Sequence, residues 1–296
     1  MRLYGDNSTY PPYITVKPSK LKTVLESHCE CRDAPRYVPT VYAILSQKLN
    51  QKPYNRPTVR MEISPIAYFS SPFTSKFGIP RQSGVVKEIE GEVVFCKPYD
   101  NPDAVRGIED FDYLWLIWGF SGNRGHNGDI AEDTRDSKNR EAPVSSRLLV
   151  RPPRLGGNER IGVFASRSPF RPNGLGLSCV RLKEVRQGRL IVLGADLMDG
   201  TPIYDVKPYV AYADAYPDAR SGFVDATAWQ PLDVVFPERL RGRLTEADIR
   251  TVSSALSQDP RPHYHKDPCR IYGMPFRDRD IRFRICGNKV EIIDII

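Results

Sequence analysis

The sequence predicts a mainly β protein, built from a closed β-barrel and a small α+β unit at the carboxyl end. From residue 63 onward, short apolar or alternating runs recur between turn residues, a pattern typical of barrels and sandwiches. Strands do not alternate with helices, and no glycine fingerprint of a dinucleotide fold occurs. The predicted strands are Ile63–Phe69, Gly91–Cys96, Tyr113–Phe120, Gly162–Ser166, Gly176–Val185 and Arg189–Leu197.

Residues 1–60 differ in composition from the rest of the chain. They hold ten Lys and Arg against four Asp and Glu, so this segment carries +6 of the net charge of +7. One interpretation is a basic, mostly disordered extension that adds affinity for nucleic acid. The other is an upstream-extended start with Met61 as the initiator. We favour the second, because only Val41–Leu49 has a helical pattern and no core-forming periodicity appears.

The barrel domain is predicted to span residues 61–230, and the charge of the chain beyond residue 60 is nearly balanced. It has 33 Lys and Arg against 32 Asp and Glu, so any contact with a polyanion must use a local cluster. Segment 147–176 is such a cluster, with six arginines, one acid and many Gly and Pro. It predicts fixed loops that present guanidinium groups to phosphate or carboxylate, although a solvated basic surface would have the same composition.

A polar stretch at residues 120–146 interrupts the barrel pattern. It is rich in charged side chains and almost devoid of apolar ones, so we expect a flexible loop. Mobility there would suit a lid or a nucleic-acid-contacting arm, and an ordinary surface loop has the same pattern.

The C-terminal unit is predicted to span residues 231–296. Residues 245–258 have a helical pattern that Thr245 can cap, with an apolar stripe along one face. Alternating segments follow at Ile281–Ile285 and Lys289–Ile296, which indicate strands. One helix with short strands predicts a small α+β unit.

The composition argues against several classes of protein. The chain contains no run of 18 apolar residues, so no membrane span is predicted, and the first residues lack the apolar core of a secretory signal. The six cysteines have neither zinc-site spacing nor a disulfide-rich pattern, and the group from His28 to Cys31 lacks a second pair of ligands. We therefore expect a cytoplasmic protein with reduced thiols, no metal and no membrane association.

Seven motifs follow one another between residues 80 and 264, and their order is as informative as their content. They are Pro80–Gly84 (PRQSG), Asp103–Gly107 (DAVRG), Leu114–Leu116 (LWL), Arg151–Asn158 (RPPRLGGN), Gly162–Asn173 (GVFASRSPFRPN), Asp199–Tyr209 (DGTPIYDVKPY) and Gln258–Tyr264 (QDPRPHY). In this order they resemble the YaeB/TrmO family of tRNA methyltransferases. The resemblance covers roughly residues 63–264.

The resemblance implies a β-barrel domain that binds the cofactor S-adenosylmethionine. It implies an enzyme that methylates N6 of threonylcarbamoyladenosine, the modified adenosine on the 3′ side of the tRNA anticodon, and a homodimer. Without it, the residues leave two other classes open, a non-catalytic RNA-binding β-barrel protein and an enzyme acting on a phosphorylated small molecule.

The resemblance also assigns cofactor contacts residue by residue. Arg167 comes first, since a guanidinium can clamp the methionine carboxylate, although it could instead brace loops by bonding carbonyls. Asp205 could take the ribose diol or the methionine amine, or cap a turn, and Leu177 could equally be a core leucine. Ser83 stands where the family usually has proline, and the histidine usual at residue 121 is missing. The full set is Gln82, Ser83, Gly84, Ser121, Gly122, Arg167, Leu177, Ile203, Tyr204, Asp205 and Val206.

A second set of residues is predicted to bind RNA: Arg151, Arg154, Arg171, Arg261 and Tyr264. Arg261 and Tyr264 combine a cation with an aromatic face, which suits a phosphate and an unpaired base in an anticodon loop. The same motif could be a proline-stiffened linker that packs on the barrel.

The nucleophile of the implied reaction is the N6 nitrogen, whose lone pair is delocalised into the ring and the carbamoyl group. Loss of its proton would therefore help the reaction. Candidate bases are Asp199, Asp205 and Tyr209, and the sequence does not rank them. Catalysis by proximity alone is the alternative.

Overall fold

The computed structural model describes residues 62–120, 148–152, 155, 159–227, 230–262, 265 and 267–296. The predicted N-terminal extension and residues 121–146 of the predicted polar loop lie outside the described residues. Residues 62–296 belong to one compact unit. Within the described ranges, no helix is long and apolar enough to cross a membrane.

Six strands form the barrel: β1 (Ala67–Ser70), β2 (Glu90–Phe95), β3 (Tyr113–Gly119), β6 (Leu175–Arg186), β7 (Arg189–Leu193) and β8 (Thr201–Pro208). A short hairpin of β4 (Leu149–Val150) and β5 (Ile161–Gly162) lies between β3 and β6 along the chain. The barrel closes in the order β1, β2, β7, β6, β3, β8, and every neighbouring pair is antiparallel. The predicted mainly β fold with a closed barrel is confirmed.

Alternating burial shows which face of each strand points into the barrel. In β3, Leu114 and Trp118 are buried in the barrel core, whereas Trp115 and Ile117 are partly exposed. Gly176 of β6 pairs with Trp118, and a Cβ at this glycine would lie 2.4 Å from the indole ring. Only glycine leaves room for the ring at this position.

Gly176→Ala is expected to lower the free energy of unfolding by about 1–3 kcal/mol, the usual cost of overpacking a core. Trp118 resists displacement because its indole N–H donates to Ser178 Oγ at 2.9 Å. Gly162→Ala is the matched control, since a Cβ at residue 162 would meet no atom within 4 Å. Urea denaturation of both variants measures the difference, and equal stability would show that the indole ring can shift at no cost.

Several segments differ from the predicted strands, and two of them lie within the motifs. The strand predicted at Gly162–Ser166 is wrong, because only Ile161–Gly162 pairs and Val163–Ala165 forms a 3-10 turn. Residues 201–208, interpreted as a turn and a binding segment, form β8 between β1 and β3. The prolines of β8 are its second and last residues, so they weaken the strand pattern without occupying the middle of the strand.

The C-terminal unit contains α2 (Glu238–Arg241) and α3 (Glu246–Ser257), and a short α1 (Ala211–Asp214) precedes it. Its strands are β9 (Asp233–Val235), β10 (Tyr272–Phe276), β11 (Arg279–Cys286) and β12 (Lys289–Ile295). They form one sheet in the order β10, β11, β12, β9, with β9 parallel to β12. The predicted helix is confirmed as α3, and Thr245 caps it by accepting the backbone N–H of Asp248. The predicted α+β character of this unit is confirmed.

The loop between β1 and β2 shares its core with the C-terminal unit. Phe73, Val86 and Ile89 are buried in the same hydrophobic cluster as residues of α3 and of β10 to β12. Thr251 of α3 donates its hydroxyl to the carbonyl of Glu88 at 3.4 Å. This core therefore extends across the domain boundary predicted at residue 230, and it supports the loop that carries residues 82–84.

Candidate functional site

The outer face of β6, β3 and β8 carries an apolar strip that ends in a carboxylate. Ile117 of β3 pairs with Leu177 of β6 on one side and with Asp205 of β8 on the other. Leu177 is 55% exposed, so it is not a core leucine. The strip offers an apolar surface with a hydrogen-bond acceptor at one end, which suits part of a nucleoside or a similar ligand.

A second row on the same face anchors α1 beside this strip. Trp115 pairs with Cys179 of β6 and Lys207 of β8. Its indole N–H donates to Asp214 at 2.9 Å, and the backbone N–H of Val210 donates to the same carboxylate. The hydrogen bond from Val210, and then that from Trp115, holds the pKa of Asp214 below its ordinary value.

Arg167 and Gln82, two predicted cofactor residues 85 positions apart, are in direct contact. The Arg167 Nη1 donates to Gln82 Oε1 at 2.6 Å. Arg167 is exposed in the segment that follows β5, whereas Gln82 lies in the loop between β1 and β2. Because a guanidinium has five N–H donors, this hydrogen bond leaves Arg167 with donors for an anionic ligand.

Ser83 and Gly84 attach this loop, residues 82–84, to the barrel. The backbone N–H of Cys179 donates to Ser83 Oγ at 3.2 Å, and that of Gly84 donates to the carbonyl of Gly194 at 2.8 Å. Gly194 has a φ of +79°, which only glycine adopts without strain. Serine in place of the family's usual proline thus contributes a hydrogen bond that proline could not make.

Arg171 performs the bracing role that was the alternative for Arg167. Its Nη1 donates to the carbonyls of Val163 at 3.3 Å and Ser166 at 2.6 Å. Its guanidinium lies 5.8 Å from the centre of the Phe164 ring. These contacts fix the loop that presents Arg167, and the RNA contact expected of Arg171 stays a prediction.

The four predicted cofactor residues of β8 point in different directions. Ile203 is fully buried in the barrel core, so it could offer a ligand only backbone atoms, and Val206 is partly buried against the same core. The Tyr204 ring covers Gly119, where a Cβ would lie 2.8 Å from it. Asp205 is paired with Lys207 at 2.7 Å. Tyr204 and Asp205 are therefore the two whose side chains can line the outer face.

Asp196, which follows β7, is a polar residue that the sequence analysis did not single out. Its carboxylate accepts a hydrogen bond from Ser178 Oγ and interacts with the backbone N–H of Ser83 and the charge of Arg167. Burial raises the pKa of Asp196 above its ordinary value, although these partners each favour the charged form. An acid directly after a buried strand, three residues before Asp199, was the available signal.

Arg261 is held by a neighbouring carboxylate and connected to the 82–84 loop. Its Nε and Nη2 donate to the two carboxylate oxygens of Asp259, each at 2.8 Å. Arg81 donates from Nη2 to the carbonyl of Asp259 at 3.3 Å. Burial alone would raise the pKa of Asp259, but the guanidinium and backbone N–H of Arg261, together with the charge of Arg81, more than offset it, so the pKa lies below its ordinary value.

Four predicted site residues lie outside the described residues: Ser121, Gly122, Arg154 and Tyr264. Arg151 is exposed directly after β4. The candidate bases occupy three points along β8, with Asp199 before it, Asp205 within it and Tyr209 after it. Asp199 accepts the backbone N–H of Ser71 at 2.9 Å. The structure thus separates the three without favouring one.

Together, these features define a ligand-binding β-barrel whose first loop is supported by a C-terminal α+β unit. Residues 68–215 match the family model of the tRNA-methyltransferase O N-terminal domain, and residues 229–296 match that of the TrmO C-terminal domain. The chain belongs to the TrmO family, and the resemblance seen in the motifs is confirmed.

Curated relatives and solved structures agree with this family. The chain is 40% identical over 242 residues to a putative S-adenosylmethionine-dependent methyltransferase, RcsF, of Pseudomonas aeruginosa, covering 79% of this chain and 96% of that one. It is 36% identical over 239 residues to a tRNA (adenine(37)-N6)-methyltransferase of Escherichia coli, covering 77% and 94%. The crystal structure of TrmO from Pseudomonas aeruginosa matches with a TM-score of 0.61 and 31% identity, covering 81% of this chain and all of that one.

Proposed function

We propose that this chain is an S-adenosylmethionine-dependent methyltransferase that modifies N6 of threonylcarbamoyladenosine at position 37 of tRNA. Methylation of adenine 37 in tRNA is the activity named for several of its relatives. The observation that carries the proposal is the contact between Arg167 and Gln82 at 2.6 Å. It joins two motifs of the family that are distant in the sequence.

The residues present fit S-adenosylmethionine. Arg167 suits the methionine carboxylate, Leu177 and Ile117 offer an apolar surface for adenine, and Asp205 can accept from the ribose diol or the amine. No group of three or more His, Cys, Asp or Glu that could hold a metal occurs in the described parts of the chain. When bound, S-adenosylmethionine supplies the methyl group from its sulfonium.

The protein's own contribution is chiefly to position the reacting groups. Arg167 and the 82–84 loop bind and orient the cofactor. Methyl transfer is an in-line displacement, so its rate depends strongly on the alignment of the reacting groups. A base that takes the N6 proton would add to the rate. Asp199, Asp205 and Tyr209 are the candidates, and each can be replaced singly, because they stand at separate points along β8.

The proposal includes a homodimer in the cytoplasm, with tRNA as the macromolecular substrate. Exposed Phe164 and Phe170 near the site give a second copy an apolar surface to cover. Light scattering after size exclusion should give twice the mass of one chain, 33.6 kDa. A monomer at micromolar concentration would contradict the dimer and leave the proposed reaction in place.

The proposed reaction is tested by nucleoside mass spectrometry on tRNA. A strain that lacks this protein should lose the N6-methyl form of threonylcarbamoyladenosine and retain the unmethylated form, and the purified protein with S-adenosylmethionine should restore it in vitro. Calorimetry with S-adenosylmethionine alone separates an enzyme from a non-catalytic RNA-binding barrel, which has no need of it. Methylation that is unchanged in the deletion strain would contradict the proposal.

A further inference from the structure

Asp196 lies where four segments of the chain meet. Its carboxylate accepts the hydroxyl of Ser178 on β6 and interacts with the backbone N–H of Ser83 in the 82–84 loop. The charge of Arg167, from the segment after β5, acts on the same carboxylate. Ser178 Oγ in turn accepts from Trp118 Nε1 on β3 at 2.9 Å.

Three further hydrogen bonds place the 82–84 loop and Arg167 beside the Asp196 carboxylate. The backbone N–H of Cys179, next to Ser178, donates to Ser83 Oγ at 3.2 Å, and that of Gly84 donates to the carbonyl of Gly194 at 2.8 Å. Arg167 donates to Gln82 at 2.6 Å.

We propose that Asp196 is a positioning residue that holds Arg167 and the 82–84 loop in the arrangement that binds S-adenosylmethionine. The inference rests on the proposed function, since it assumes that this cofactor binds at the contact between Arg167 and Gln82. Asp196 acts through these residues and not on the reacting atoms, because its partners are its own backbone N–H, Ser178, Ser83 and Arg167.

The site requires a carboxylate because its partners are hydrogen-bond donors and a cation. A carboxylate offers two acceptor oxygens and no donor, so it can satisfy the Ser178 hydroxyl and the Ser83 N–H while attracting Arg167. Asparagine has nearly the same size, but its NH2 group would face a donor and its charge is zero. Hydrogen bonds to charged groups are stronger than neutral ones, so both effects weaken the hold on the loop.

Asp196→Asn in the full chain tests the proposal. Isothermal titration calorimetry with S-adenosylmethionine alone should give a dissociation constant about tenfold higher than that of the wild type. The dissociation constant for tRNA should not change. In steady-state kinetics, the KM for S-adenosylmethionine should rise while kcat at saturating cofactor stays close to the wild-type value. A general loss of folded protein would lower kcat as well, and it would not weaken cofactor binding selectively over tRNA binding.

Val93→Ala is the matched control, because Val93 is an apolar side chain that is fully buried in the barrel core on β2. It should cost stability without changing the affinity for S-adenosylmethionine. If Asp196→Asn does not fold, Ser178→Ala removes the side-chain hydrogen-bond donor to Asp196 and should raise the dissociation constant about threefold.

Unchanged cofactor affinity in a folded Asp196→Asn protein, or in Ser178→Ala where that variant replaces it, overturns the inference. A rise that Val93→Ala reproduces would overturn it as well. A wild-type protein that does not bind S-adenosylmethionine would instead overturn the proposed function.

Discussion

Arg167→Ala is expected to raise the dissociation constant for S-adenosylmethionine roughly tenfold to hundredfold and to leave the affinity for tRNA nearly unchanged. A charge-assisted hydrogen bond to a carboxylate is worth about 1.5–3 kcal/mol, which corresponds to that range. The loop should keep its conformation in the variant, because Arg171 bonds the carbonyls of Val163 and Ser166 independently of Arg167. Calorimetry with the cofactor and a filter-binding assay with tRNA measure the two affinities.

Two further variants sharpen this expectation. Arg167→Lys keeps the charge but loses the planar fork, so its affinity should fall between those of the wild type and Arg167→Ala. Arg151→Ala removes another exposed arginine, directly after β4, and should leave cofactor affinity unchanged. Native cofactor affinity in Arg167→Ala would show that this side chain only ties its loop to Gln82.

The sequence predicts the barrel and the C-terminal helix because their signals are local. Short apolar or alternating runs mark β2, β3, β6 and β7, and Thr245 with its apolar stripe marks α3. β8 was missed because two prolines and a binding motif share its eight residues. The pattern gives no sign that Phe73, Val86 and Ile89 pack in the C-terminal core, since that depends on contacts between distant segments.

In the candidate site too, single residues could be predicted from local motifs, whereas contacts between distant segments could not. Motifs identify Gln82 and Arg167 separately, and only the fold shows that they touch. Asp196 was missed because its importance comes from partners on three other segments. Ile203 is buried whereas Leu177 is exposed. This difference depends on how β8 and β6 are oriented in the closed barrel, and a motif match does not give that orientation.

The segment after α3 connects the C-terminal unit to the 82–84 loop. Asp259 has a φ of +49°, and it binds Arg261 with both carboxylate oxygens and Arg81 with its carbonyl. Arg81 directly precedes Gln82 in the chain. A substitution at Arg261 can therefore affect the 82–84 loop as well as RNA binding. A test of RNA binding must measure the affinity for S-adenosylmethionine together with that for tRNA.

The double variant Arg261→Ala, Tyr264→Ala is expected to weaken tRNA binding and methylation at low tRNA concentration while cofactor affinity stays within about threefold of the wild type. Stacking of one base on an aromatic side chain is worth about 1–3 kcal/mol, and Arg261 adds a cation for phosphate. Cofactor affinity should be largely retained, because the 82–84 loop is also held by Cys179 and Gly194.

The single variants divide this effect between the two side chains. Tyr264→Ala should affect tRNA alone, whereas Arg261→Ala also leaves Asp259 without its bidentate partner and should account for any loss of cofactor affinity. Arg279→Ala, an exposed arginine of the same unit paired with Asp278, is the control for loss of charge. Equal losses of tRNA and cofactor affinity in Tyr264→Ala would show that the segment is structural.

If instead the segment binds RNA at the partner's site in a homodimer, mixing the double variant with Arg167→Ala should restore part of the activity. Each hybrid dimer would then contain one site in which both the cofactor-binding and the RNA-binding residues are intact.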